Sequence, residues 1–574
     1  MKKSLLALGA VAALGGLGFS GAAHAVWVAQ DVALAPAQTL SASTDTGVGH
    51  ILVTPYFNTA NQTGTLLSVV NTDTLNGKAV KVRFRGAANS DDILDFTVLL
   101  SPGDVWTASV TEGSDGYSRL ITPDTSCVLP GIPNAANTGG EGQPFTPTRL
   151  DPKLTAEAKA AHTQEGYVEW LTMADIRKGS TLYAAVKHKN GVAPCTQTEM
   201  DFLMDPYSTM NTTEASAYGL TAPTGGLMGN WTIYNSANVT SYGGPNSAIV
   251  ALQSQEAGPA VPSTARLFFA PQIGASAPNF PTDPDLVWSQ EILTGTRTHL
   301  AETADPLITT VGNGGSKLVE ILPFDLPDLS TPYVSGYQYA PTQSGALSAS
   351  LATTAVMNEW TSGTSNGVEF STDWVFSQPT RRYHAVVNYG GLSGTPSAVY
   401  NTQSSVFYYG GGTTIKTRKF GDVQYGSMLC LKDGLAKYNA FNREEGEITI
   451  RISGEWSPGT PAGETQGFCG EVAVLTFGDS MNRALNASLT TNNIPATSLP
   501  AGGAGWMAVS LPPAVTIGTP PRTYAGGLPV IGYAANTFKA GSGAGAGNFG
   551  DAITHRYKRP SGPAAEIVPP VVTP

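Results

Sequence analysis

From His50 onward, apolar residues recur at every second position in short runs separated by turn-forming residues. Ile51 to Phe57 and Leu66 to Val70 are runs of strand length, parted by Asn58-Thr59-Ala60-Asn61. After Asn76-Gly77, a dipeptide suited to tight turns, Val80, Val82 and Phe84 alternate with Lys81, Arg83 and Arg85. This alternation predicts a strand with one dry face and one wet face. Lys81, Arg83 and Arg85 then form a small basic face in solvent, a candidate contact for anionic lipopolysaccharide. Leu94, Phe96, Val98 and Leu100 repeat the pattern, Ser101-Pro102-Gly103-Asp104 predicts a turn, and Val105 to Val110 predicts another strand.

The later part of the chain has the same character. Ile448, Ile450 and Ile452 alternate with Thr449, Arg451 and Ser453, and Val472 to Phe477 reads as a buried strand. Leu528 to Ala534 reads as an edge strand, because Pro529 has no N–H to give to a neighbour. One helix is predicted, capped by Asp151, with Pro152 first, Lys153 to Ala161 as its body and Gly166 ending it.

Strands at this spacing, joined by Gly, Pro and Asn turns, predict an all-β fold: two or three antiparallel β-sandwich, Ig-like domains with one short helix and long loops. The expected division is an N-terminal sandwich over 26–265, a C-terminal sandwich over 266–556 and a disordered Pro-rich tail over 557–574. Linkers are expected at 130–147, 258–262 and 271–284, and the Gly/Ala/Ser-rich stretch Ala540 to Gly550 is expected to be flexible.

Composition narrows the classes of function. Of the 574 residues only 13% are charged, about half the usual share. The net charge is -11, with no Lys/Arg run, which argues against nucleic acid as a partner. The start of the chain predicts export. Lys2 and Lys3 precede an apolar run from Leu5 to Leu17, and Ala23-His24-Ala25 offers small residues for cleavage between Ala25 and Val26, giving a signal peptide over 1–25. That run is shorter than the ~20 residues a bilayer core needs, and no transmembrane helix is predicted elsewhere. The expected location is extracellular or at the cell surface, with the periplasm as the alternative.

Four cysteines, Cys127, Cys195, Cys430 and Cys469, contain no C-x-x-C pair. In an exported chain they predict two disulfides. Three connectivities are open, and proximity along the chain favours Cys127–Cys195 with Cys430–Cys469.

Candidate chemistry is sparse. Phe477-Gly478-Asp479-Ser480 resembles the nucleophile block of GDSL hydrolases, and Asp551 before His555 resembles that family's Asp-x-x-His. Here the gap is one residue longer, the block sits near the C-terminus, and the α/β alternation of that fold is missing. Gly478-Asp479-Ser480 is therefore read as a turn after a strand, and no catalytic residue is assigned. The histidines His24, His50, His162, His188, His299, His384 and His555 show no metal-ligand spacing. Asp91-Asp92 and Asp283-x-Asp285 are carboxylate pairs with nothing to select them as glycosidase residues. No cofactor is expected, and a structural calcium ion has no assignable loop. Trp106, Trp170, Trp374 and Trp506 lie in strand-like runs and are expected in the core or on sheet faces.

Several segments together resemble a family of exported proteobacterial proteins described as uncharacterised cell-surface or surface-layer-like proteins. They are Gly77 to Arg85, Asp95 to Trp106, Thr372 to Phe376, Pro379 to Arg382, Gly505-Trp506-Met507 and Gly527 to Gly532. The resemblance implies an envelope or extracellular location and carries over no site residues. The expectation is a non-enzymatic exported structural or cell-surface protein that self-assembles into a layer or filament. The alternative is a protein that binds glycans or envelope polysaccharide, betrayed by a row of exposed aromatics on one sheet face. An outer-membrane β-barrel and a secreted hydrolase acting through Ser480 rank below both.

Overall fold

A computed structural model of the chain describes, with short interruptions, residues 39–129, 140–252, 347–380, 422–450 and 467–559, and a two-residue strand at 266–267. In chain order the first part contains β1 (Thr39–Ser43), β2 (Ile51–Asn58), β3 (Thr63–Asn71), β4 (Gly77–Gly86), β5 (Asp92–Leu100) and β6 (Val105–Glu112). It continues with β7 (Ser118–Ile121), β8 (Cys127–Leu129), β9 (Glu165–Ile176), β10 (Leu227–Asn235), β11 (Thr240–Pro245) and β12 (Ser247–Leu252). The second part holds β13 (Ala355–Thr361), β14 (Val368–Ser377), β15 (Lys437–Asn442), β16 (Glu447–Ile450) and β17 (Val472–Phe477). Then follow β18 (Thr491–Ile494), β19 (Ala504–Ser510), β20 (Ile531–Ala540), β21 (Gly547–Thr554) and β22 (Arg556–Lys558).

These strands form four main sheets, and the fold is all-β and mostly antiparallel, as expected. The first sheet runs β1-β12-β2-β9-β4-β5-β8 and the second β7-β6-β3-β10-β11. The third runs β16-β15-β19-β13-β22 and the fourth β18-β17-β14-β20-β21. Within the fourth, β17 and β18 are parallel. None of the four closes into a barrel. Among the described residues no helix is long and apolar enough to cross a membrane.

The first two sheets enclose one core in which Phe57, Phe84, Phe96, Trp106 and Trp170 touch one another edge to face, tilted or stacked. The fourth sheet is shared between cores. Val375, Val474, Ile531 and Tyr533 join that first core, while Trp374, Phe376, Leu475 and Phe477 pack toward the third sheet with Trp360, Met507 and Val509. Two polar features lock the halves together. The Glu165 carboxylate, at the start of β9, accepts hydrogen bonds from the backbone N–H groups of Ser488, Leu489 and Thr490 and from the Thr490 hydroxyl, at 2.5–3.1 Å. Gly550 on β21 lies so close to β11 that a Cβ there would stand 2.2 Å from the Ser241 carbonyl oxygen, a contact open only to glycine.

Several local expectations need correction. The helix begins later than predicted: α1 spans Ala156–Gln164, with Thr155 accepting from the Ala158 N–H as N-cap, and the expected cap Asp151 lies outside the described residues. Two further helices, α2 (Thr181–Val186) and α3 (Gln197–Met204), cover one end of the first sheet. β20 is not an edge strand; Tyr533 is paired with Val375 on one side and Thr554 on the other. Pro529 sits before it, in a two-residue bridge to Ala352–Thr353, so its missing N–H costs the main ladder nothing. Within Ala540 to Gly550, the part from Gly547 belongs to β21. The expected tail start at residue 557 falls inside β22, where the Tyr557 hydroxyl bonds both the N–H and the carbonyl of Gly532. The turn at Ser101–Asp104 is as predicted, with Gly103 at φ +70 and the Asp104 N–H donating to Ser101 O at 3.1 Å. The signal segment 1–25 with its cleavage site Ala25–Val26, the linkers at 258–262 and 271–284, and residues 560–574 lie outside the described residues.

Candidate functional site

The basic face is where the structure departs furthest from expectation. Lys81, Arg83 and Arg85 do not meet solvent; every residue of β4 is buried. The two neighbouring strands place carboxylates opposite the cations. Arg83 stands between Asp95 on β5 and Glu169 on β9, Arg85 opposite Asp92, and Lys78 opposite Asp175. Arg83 Nε donates to Asp95 at 3.1 Å, Arg85 Nε to Glu169 at 3.3 Å, and Lys78 Nζ to Asp175 at 2.7 Å. Burial pushes the Asp175 carboxyl up despite the Lys78 charge beside it. The C-terminal half closes over one end: Tyr167 donates to the Pro379 carbonyl at 3.2 Å, and the Glu471 N–H donates to Ala87 O at 2.7 Å. The layer is internal, so these cations do not form the solvent-facing basic surface that a lipopolysaccharide contact requires.

Of the residues in the hydrolase-like pattern, His555 and Asp551 are placed in different surroundings. Ser480 lies outside the described residues. His555 is 2% exposed, packed on Trp374 and Phe376. Its Nε2 lies 3.0 Å from the Val375 carbonyl, which can only accept, so Nε2 carries the proton and Nδ1 accepts from the Asn358 amide at 3.0 Å. Burial lowers its pKa to about 3. A neutral histidine with both nitrogens engaged is a core residue. Asp551 is exposed on β21, paired across the sheet with Asn536. His50 is also held neutral, at about 3, by burial and the Lys78 charge, with Nδ1 accepting from the Ala251 N–H. Asp91 and Asp92 are buried rather than facing a cleft; Asp283 and Asp285 lie outside the described residues. Among the described residues no cluster of three His, Cys, Asp or Glu side chains is placed to hold a metal ion.

The cysteine expectation fares better. Cys127 and Cys195 form a disulfide with their Cα atoms 5.4 Å apart, tying β8 to the α2–α3 insertion. Cys430 and Cys469 stand directly opposite each other on antiparallel strands, Met428–Leu431 and Gly467–Cys469.

Two surface features remain. The first is the edge of the fourth sheet, beyond which, among the described residues, no strand pairs, although the Asn358 amide donates to the Ile553 carbonyl at one end. β21 ends that sheet, and eight residues of strand carry Phe549 at 66% exposure. Phe549 closes a cross-strand row with Phe538 and Phe370. The adjoining β10–β11 hairpin, held by Asn548 Nδ2 on the Asn238 carbonyl, presents Val239 at 77% exposure. The second is the outer face of the third sheet. Of the four tryptophans expected in strands, Trp106, Trp170 and Trp374 are buried, but Trp506 on β19 is 42% exposed. It stacks on Phe441 of β15 with centroids 4.4 Å apart and planes 9° apart. Neither feature was legible beforehand, because alternation says which residues share a face but not which face is covered.

By fold the protein is an all-β, disulfide-containing molecule of antiparallel sandwiches. No family model, no curated protein and no solved structure matches the chain.

Proposed function

We propose that this is a non-enzymatic, exported structural protein of the cell surface that assembles with copies of itself, beginning at the edge of β21. The observation that carries the reading is Phe549 on that edge. An unpaired strand edge is a template for another strand, and proteins that must stay monomeric blunt such edges with charge. The opposite case is visible in the third sheet, whose edge strand β16 carries Glu447 and follows exposed Glu444 and Glu445. The β21 edge strand instead carries Phe549, with Asp551 as its one charge. Covering Phe549 in a partner stabilises the assembly by roughly 1.5–3 kcal/mol per copy. The buried charge layer and the Glu165 clamp suit a rigid building block.

The test is light scattering and negative-stain electron microscopy of the chain from Val26, with and without calcium. Mass that rises with concentration, and ordered sheets or filaments, are expected, with Phe549→Asp returning the chain to monomers. Monomers at every concentration in the unsubstituted chain overturn the reading.

A further inference from the structure

The outer face of the third sheet carries a row of four side chains at one register, each on a different strand. Glu359 on β13 is opposite Trp506 on β19, Trp506 is opposite Phe441 on β15, and Phe441 is opposite Glu447 on β16. At the usual strand spacing the row is about 14 Å long. Both glutamates are exposed, and Asn439 Nδ2 donates to Glu447 at 3.1 Å, fixing that carboxylate beside the ring pair. Phe441 covers one face of the indole; the other face turns away from it, toward the strand that carries Glu359.

We propose that this face binds a neutral glucose-type polysaccharide chain laid across the strands, with one pyranose ring against the open face of Trp506 and its hydroxyls on Glu359, and with the hydroxyls of further rings of the chain on the Asn439–Glu447 pair. The chemistry of the row selects this occupant. A second protein surface or a lipid covering the aromatic pair would strip water from Glu359 and Glu447 without returning hydrogen bonds, which is costly. An anionic glycan meets four exposed carboxylates, since Glu444 and Glu445 lie in the turn beside Glu447. A neutral pyranose has an apolar C–H face for the ring and a rim of O–H donors for acceptor-only carboxylates. Trp506 contributes nothing to the core beneath it, which is built by Met507 and Val509.

The site is on a different sheet from Phe549, so the monomeric F549D chain tests it whether or not the protein assembles. Cellohexaose and maltohexaose are titrated into that chain by isothermal titration calorimetry. Saturable binding of at least one is expected, weakened roughly tenfold or more by Trp506→Ala and about threefold by Glu359→Gln. Trp506→Phe, which keeps an aromatic face, retains an intermediate affinity and guards against a folding defect in the alanine variant. Absence of binding by both hexasaccharides at millimolar concentration, or equal affinity in the W506A chain with its denaturation midpoint unchanged, overturns the proposal.

Discussion

β4 and β19 are written in nearly the same code, yet they end in opposite environments. In β4, Val80, Val82 and Phe84 face the first core and Lys81, Arg83 and Arg85 face the other way. In β19, Met507 and Val509 face the second core and Trp506, Ala508 and Ser510 face the other way. The outward side of β4 is buried and laced with ion pairs; the outward side of β19 is open and carries an indole. Alternation fixes which side chains share a face. Whether the second face is dry depends on what the rest of the chain lays over it. The polar residues of β4 are thus inner structure, while the apolar Trp506 is surface.

The comparison breaks most sharply at Arg83. Replacing it with Ala leaves Asp95 buried without its ion-pair partner, while Glu169 keeps Arg85, and a loss of about 3–5 kcal/mol is expected in urea denaturation. The double variant Arg83→Met with Asp95→Leu recovers most of that loss, because removing both charges removes the desolvation cost as well. A loss below about 1 kcal/mol for Arg83→Ala would mean that water reaches the layer.

Next in size is the disulfide. Cys127 and Cys195 close a loop of 68 residues, so Cys127→Ser with Cys195→Ser lowers stability by roughly 2–4 kcal/mol through the entropy of the unfolded chain. Proteolysis that cuts first between α2 and α3 would locate the damage in the insertion they hold down.

A third test uses acid. His555 is neutral in the fold, with a pKa of about 3 against an ordinary 6.5, so the unfolded chain gains a proton first and stability falls as pH drops below 6.5. Asp373 has the opposite sign. Burial raises its carboxyl to about 6, against the Leu485 N–H that it accepts at 2.8 Å, so the folded chain gains its proton first and stability rises as pH drops from 6 toward 3.8. Asp373 offsets part of the loss from His555, and His50, whose pKa is lowered to about 3 as well, adds to that loss, so the unmodified chain loses stability as pH falls below 6.5. Asp373→Asn removes the offset. Its stability relative to the unmodified chain is expected to fall by about 2 kcal/mol between pH 7 and pH 4. A difference that does not change with pH would show that Asp373 titrates normally.

How much was legible follows the same divide. The strands at Ile51–Asn58, Asp92–Leu100 and Val472–Phe477, the turn at Ser101–Asp104 and the Cys127–Cys195 pair follow from local pattern and spacing. The ion layer does not, because β9 lies between β2 and β4 in the sheet but far from both in sequence, and only that placement sets Glu169 against Arg83. His555 near Asp551 resembled a hydrolase motif because two residues close in sequence suggest a pair. In β21 and the turn after it, one faces solvent and the other is enclosed by Trp374 and Phe376. The helix start moved because Thr155 and Asp151 are both good caps and only packing chooses between them. For the exposed row on the third sheet, the sole signal was an aromatic residue in the outward set of a strand, and Trp374 would have passed the same filter.

The smallest effect separates those two tryptophans. Trp374 is fully buried, its indole N–H donating to the Glu359 carbonyl at 3.0 Å, and Trp374→Ala is expected to cost about 3–5 kcal/mol. Trp506 gives up one stacked partner and a partly exposed area, so Trp506→Ala is expected to cost no more than about 1 kcal/mol in the same denaturation assay. A residue that contributes so little to folding while holding an indole in water has its stability role nearly removed. Losses of similar size for the two would place Trp506 in the sheet's own packing and leave its open face without a ligand to explain it.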